Sequence, residues 1–99
     1  MTKFYAPIHP GEILREEFLK PIQLTAYKLA KATGMTATQV SEILRGKRSI
    51  TAETALLLST FFNTSAELWL RLQNDYDLRL ARRKMTSRLK KIDIAFINE

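Results

Sequence analysis

Four hydroxyl residues, Thr25, Thr36, Thr51 and Ser65, divide the chain into segments of helical length, and their spacing constrains the fold more than any other feature. A side-chain oxygen before a helix accepts from a first-turn backbone N–H that otherwise lacks a partner. Behind Thr25 stand Ala26, Leu29 and Ala30 as an inward face running to Ala32, with Gly34 past the end. Behind Thr36, Val40, Ile43 and Leu44 recur at i, i+3 and i+4, and Gly46 closes the segment. Thr36 and Gln39 have the spacing of a capping box, which favours Gln39 as a cap over a ligand-contacting role. Thr51 opens a fourth helix over Ala52–Phe62 that is apolar on several faces and is therefore expected to be the most buried. Asn63-Thr64-Ser65 breaks the pattern, and Ser65 opens a long fifth helix carrying Leu68, Trp69, Leu72, Tyr76 and Leu80. No Gly or Pro follows Gly46, so this helix can run past Arg83.

An earlier helix is predicted over Pro10–Leu19. Pro10 suits the first helical position, Glu12, Glu16 and Glu17 sit near the positive end, and Ile13, Leu14 and Phe18 form the apolar stripe. Pro21 is expected to stop it. The reading is an all-α chain of about five helices, a single domain over residues 1–99 with no internal repeat.

Composition excludes several classes. A chain of 99 residues buries a modest core that a second copy can complete. The absence of cysteine removes disulfides, thiolate catalysis and thiolate metal sites. The longest apolar run, Ala55–Leu58, is far too short to span a bilayer, and MTKFYAPIHP lacks the apolar centre of a signal peptide. A soluble, cytoplasmic protein is expected, without membrane partners. One histidine, no phosphate-binding glycine loop and no clustered ligand set argue against an enzyme, a metal site or a cofactor. His9, the lone histidine, is read as a helix-start residue.

The charge is more informative. Sixteen Lys and Arg against ten Asp and Glu give +6, with a pI near 9.9. Between Gln23 and Ile50 five cations (Lys28, Lys31, Arg45, Lys47, Arg48) face one anion, Glu42. From Arg82 to Lys91 six cations occur with no anion. Two such runs in so short a chain point to an anionic partner.

The two helices around Gly34 have the helix-turn-helix order, in which the second helix enters the DNA major groove. A rotation of about 100° per residue sets Thr38, Ser41, Glu42 and Arg45 opposite Val40, Ile43 and Leu44. Small hydroxyls ending in an arginine suit groove insertion. Gly46 lets the chain turn off the helix, leaving Arg45, Lys47 and Arg48 beside the groove's edge, where they would meet phosphates. A single cation would suffice to cap a helix C-terminus.

The segment Leu29–Gly34 followed by Val40–Thr51 resembles the helix-turn-helix of phage-repressor-type DNA-binding proteins, a lambda-repressor-like domain. The flanking motifs His9-Pro10-Gly11-Glu12-Ile13-Leu14-Arg15-Glu16-Glu17-Phe18-Leu19 and Ala66-Glu67-Leu68-Trp69-Leu70-Arg71-Leu72-Gln73-Asn74-Asp75-Tyr76-Asp77-Leu78 resemble the HigA family of antitoxins, also labelled VapI or addiction-module antidotes. The likeness covers residues 8–82 and leaves 83–99 as a basic C-terminal extension. It implies a dimeric bacterial protein that binds a small basic toxin, a ribosome-dependent mRNA endonuclease of the RelE-like HigB type. It also implies binding to operator DNA at its own promoter, and so association with the nucleoid.

By position the resemblance puts Ala37, Thr38, Ser41 and Glu42 at base edges. Thr25, Thr36, Arg45, Lys47 and Arg48 fall at phosphates. Glu42 departs from the family pattern, which has a basic or neutral polar residue there. It can accept from cytosine N4 or pair with Arg45, and the pairing is the expectation. Trp69, Leu72, Tyr76 and Leu80 are expected in a core partly shared with a second subunit. The acidic first helix is a candidate surface for the toxin. The tail Ile92–Glu99 alternates apolar residues and is open to a strand, a helix extension or a frayed end. The flanking motifs favour an antitoxin over a stand-alone transcriptional regulator.

Overall fold

The computed structural model describes residues 6–95. Residues 1–5 and 96–99, the latter the end of the alternating tail, lie outside the described residues. Five α-helices follow in order: α1 (Pro10–Ile13), α2 (Ala26–Thr33), α3 (Ala37–Leu44), α4 (Ala52–Phe62) and α5 (Ala66–Lys90). There is no strand among the described residues, and 92–95 carry neither helix nor strand.

Each hydroxyl cap is in place. The Thr25, Thr36, Thr51 and Ser65 oxygens accept from the backbone N–H three residues on. Thr36 and Gln39 form the reciprocal box, with Thr36 N–H donating to Gln39 Oε1 at 3.0 Å. That engagement accords with the capping role for Gln39. Gly34 ends α2 at φ +79° and Gly46 leaves α3 at φ +74°, a region that costs an L side chain strain.

The first helix departs from expectation. Only Pro10–Ile13 is α-helical; Leu14–Leu19 winds as a π-helix and Lys20–Ile22 as a 3-10 turn, so Pro21 does not stop the path. In an α-helix the Pro21 ring would strike the Glu17 carbonyl. The wider winding, with Lys20 N–H donating to Arg15 O, carries the chain past it until Gln23 turns at φ +53°.

One hydrophobic cluster joins the elements: Leu14, Leu19, Leu29, Ala30, Met35, Val40, Ile43, Ile50, Ala55, Leu58 and Trp69. Trp69 is fully buried, donates Nε1–H to Thr64 Oγ1 at 3.0 Å and stacks near Phe18, with ring centroids 4.9 Å apart. Gly11 is buried against α3, where a Cβ would lie 1.7 Å from the Ile43 carbonyl oxygen. No other residue allows the first helix to approach α3 this closely.

The fourth helix corrects a second expectation. α4 buries Thr54, Ala55, Leu58 and Ser59, whereas Leu56, Leu57 and Phe61 are exposed. Its apolar residues run around the helix, but only one side meets α2 and α5. Leu72, Tyr76 and Leu80 are half-buried rather than enclosed, and α5 is exposed at nearly every position beyond Ala81.

Candidate nucleic-acid interface

The geometry of α3 follows from its two anchors. Val40 and Ile43 are 1% exposed, which fixes the rotation of the helix and turns Ala37, Thr38 and Arg45 outward to solvent. Ser41 and Glu42 are half-buried on the same outer side. Leu44, expected inside, is only partly buried. Thr25 and Thr36, the caps of α2 and α3, are exposed at the N-terminal ends of the pair.

Past α3 the chain reverses at Gly46. Gly46 N–H donates to Ile43 O at 3.0 Å, and Lys47 N–H to Glu42 O at 2.8 Å. These bonds fold the loop back over the last helical turn, leaving Lys47 and Arg48 exposed beside it. Arg45 is also exposed and lies along its own helix, with Nε 3.4 Å from Ser41 O.

Glu42 pairs with Arg48 and not with Arg45. Arg48 Nε donates to Glu42 Oε1 at 2.8 Å and its Nη2 reaches the same oxygen at 2.6 Å. The expected i, i+3 partner points along the Ser41 carbonyl, and the Gly46 reversal instead brings Arg48 back over Glu42. The fold thus gathers Thr38, Ser41, Glu42, Arg45, Lys47 and Arg48 around one helix end, with α2 beside it.

Three contributors reach this site from outside α2, α3 and the cationic loop. Arg15 Nη1 donates to Leu44 O at 2.8 Å, placing a cation from the first helix on the α3 C-terminus. Gln73 on α5 is 4% exposed and its Oε1 accepts from Ile50 N–H at 2.8 Å, tying down the far end of the cationic loop. Its Nε2 donates to Asp77 Oδ1 at 2.9 Å. His9 is the third. Its Nδ1 accepts from Gly11 N–H at 2.8 Å, capping α1, and its ring meets Tyr76 edge-on with centroids 4.9 Å apart. The same ring lies within 3.6 Å of where a Cβ on Gly46 would sit. Burial pushes the His9 pKa below its usual value, against the opposing pull of Asp77 and of the Arg48 backbone. The helix-start role read for His9 matches its position as the α1 cap.

On the first helix, Glu12 and Glu17 are exposed, while Glu16 is engaged by Lys20 Nζ at 2.9 Å and Arg15 Nε at 3.1 Å. Those hydrogen bonds, Lys20 first, hold its carboxyl below the usual carboxylate range. Tyr27 and Lys31 stand exposed on α2, with Lys31 Nζ 5.6 Å from the ring centroid. Among the described residues no group of three His, Asp or Glu could hold a metal ion, and no helix is long and apolar enough to cross a membrane.

The glycine-jointed pair α2–α3 with its outward polar face defines the class as a helix-turn-helix protein, and the helix-turn-helix family model matches residues 16–69. The chain is 53% identical over 74 residues to virulence-associated protein I of Dichelobacter nodosus, covering 75% of this chain and 68% of that protein. It is 32% identical to antitoxin HigA-1 of Vibrio cholerae, covering 93% of this chain and 87% of the relative. The Pseudomonas aeruginosa antitoxin HigA, solved with the higBA promoter, superposes with a TM-score of 0.87 at 38% identity, covering 91% and 99% of the two chains. The chain belongs to the HigA family of helix-turn-helix antitoxins.

Proposed function

We propose that this protein neutralises a HigB/RelE-like mRNA endonuclease toxin by binding it, and represses the promoter of its own operon as a homodimer. The observation that carries the regulatory half is the exposed outer face of α3 ending in Arg45, Lys47 and Arg48. Family membership, and the promoter bound by the Pseudomonas aeruginosa HigA, support the same half. Ala37, Thr38, Ser41 and Glu42 face base edges in this reading. Thr25, Thr36, Arg45, Lys47 and Arg48 contact phosphates, so affinity falls steeply with salt as counterions are released. A dimer sets two α3 helices into successive major grooves, about 34 Å apart.

The protein acts by occupying surfaces, on the toxin and on DNA, and no chemical step is assigned to it. A tagged copy at the native locus, captured with its stoichiometric partners, tests the proposal. A small basic protein encoded by the neighbouring gene should be recovered in near-equal amount, and its growth arrest should be relieved by co-expression. Recovery of the homodimer and DNA alone would make the protein a stand-alone transcriptional regulator instead.

A further inference from the structure

We infer that Glu42 selects cytosine at one position of each DNA half-site, with Arg48 as the positioning residue that holds its carboxylate. The inference rests on the DNA-binding reading above. Thr38, Glu42 and Arg45 follow one another at i, i+4 and i+7 on the side of α3 opposite Val40 and Ile43. Glu42 is the only anion on that stripe. A bare carboxylate between two rows of phosphates would weaken binding to every sequence.

Arg48 removes that repulsion without hiding the group. Its Nε and Nη2 meet the same oxygen, Oε1, and the Glu42 side chain keeps 32% of its surface in solvent. Oε2 is thereby left as the acceptor for a base. The guanidinium comes from the loop beyond Gly46 and fixes the rotamer before DNA arrives, so little side-chain entropy remains to be lost. In the major groove guanine and thymine present acceptors, which repel a carboxylate. Adenine sets its N7 acceptor beside the N6 donor, and cytosine offers the N4 donor alone. Of the four bases, cytosine is the one that matches.

The test uses the full chain and a pool of randomised duplexes spanning about two helical turns. Enriched sequences are then permuted one base at a time and titrated by fluorescence anisotropy at fixed salt. Wild type should prefer cytosine by about tenfold at one position per half-site. Glu42→Gln should shift that position towards adenine, whose N6 and N7 suit an amide, and leave the other positions unchanged. Arg48→Ala should narrow the cytosine preference there while discrimination elsewhere persists.

A Glu42→Gln profile identical to wild type, or one that merely tightens binding to every duplex, would overturn the inference and leave Glu42 a neutralised surface charge. Full cytosine preference in Arg48→Ala would overturn the positioning role. If wild type enriches no duplex at low salt, the DNA-binding reading itself falls, and the inference with it.

Discussion

Replacing Gln73 with leucine removes one hydrogen-bonding side chain from the joint between the cationic loop and α5. The Gln73 amide accepts from Ile50 N–H at 2.8 Å and donates to Asp77 at 2.9 Å, and both Gln73 and Ile50 are at most 4% exposed. Leucine is close in size, so it leaves little cavity; the loss is the partner of a buried donor. Stranding such an N–H costs about 1–3 kcal/mol. The exposed Asp77 can turn to water and adds little. For a domain of this size each kcal/mol lowers Tm by about 4–8 °C. Urea unfolding followed by helical circular dichroism, at one fixed protein concentration, measures the change as a shift in midpoint at constant slope. Since Ile50 ends the loop carrying Lys47 and Arg48, DNA affinity should fall together with stability. A Gln73→Leu protein within about 0.3 kcal/mol of wild type would show that the Ile50 N–H finds another partner, and the joint would not depend on Gln73.

Other substitutions probe the remaining supports. Gly11→Ala drives a methyl into the Ile43 carbonyl and should destabilise by about 3 kcal/mol or more, read by the same denaturation. His9 titrates below its usual 6.5 in the folded protein, so its contribution is complete above that value. Stability should then decline as pH falls below 6.5, where the unfolded chain takes up the proton first; His9→Asn, whose Oδ1 replaces the Nδ1 acceptor of the cap, should flatten that part of the curve. Lys47→Ala should weaken binding to all duplexes alike and reduce the slope of log affinity against log salt by about 0.9, with base preferences unchanged.

Much of the local structure was legible because it is built from neighbours in sequence. A hydroxyl cap needs an N–H three residues on, a capping box needs Thr36 and Gln39, and a left-handed turn needs Gly34. The outer face of α3 was equally readable, since burying Val40 and Ile43 settles where Thr38 and Arg45 point. The first helix was read as regular because periodicity registers apolar spacing and not winding. Ile13, Leu14 and Phe18 suit α and π paths alike, and only the clash at Pro21 separates them.

The sequence by itself determined the helix starts from Thr25 onward, the glycine turns and the cationic exit from α3. Tertiary structure alone decided which distant groups meet. Arg15 reaches the Leu44 carbonyl across 29 residues, Gln73 reaches Ile50 across 23, and Gly11 admits the backbone of Ile43. It also gave Glu42 to Arg48 in place of Arg45 and left one side of α4 in solvent. Capping and turning act through bonds between near neighbours, whose geometry the chain carries with it. The other contacts exist only once packing around Trp69, Leu29 and Ile43 has set how the helices cross, and that packing depends on every apolar residue at once.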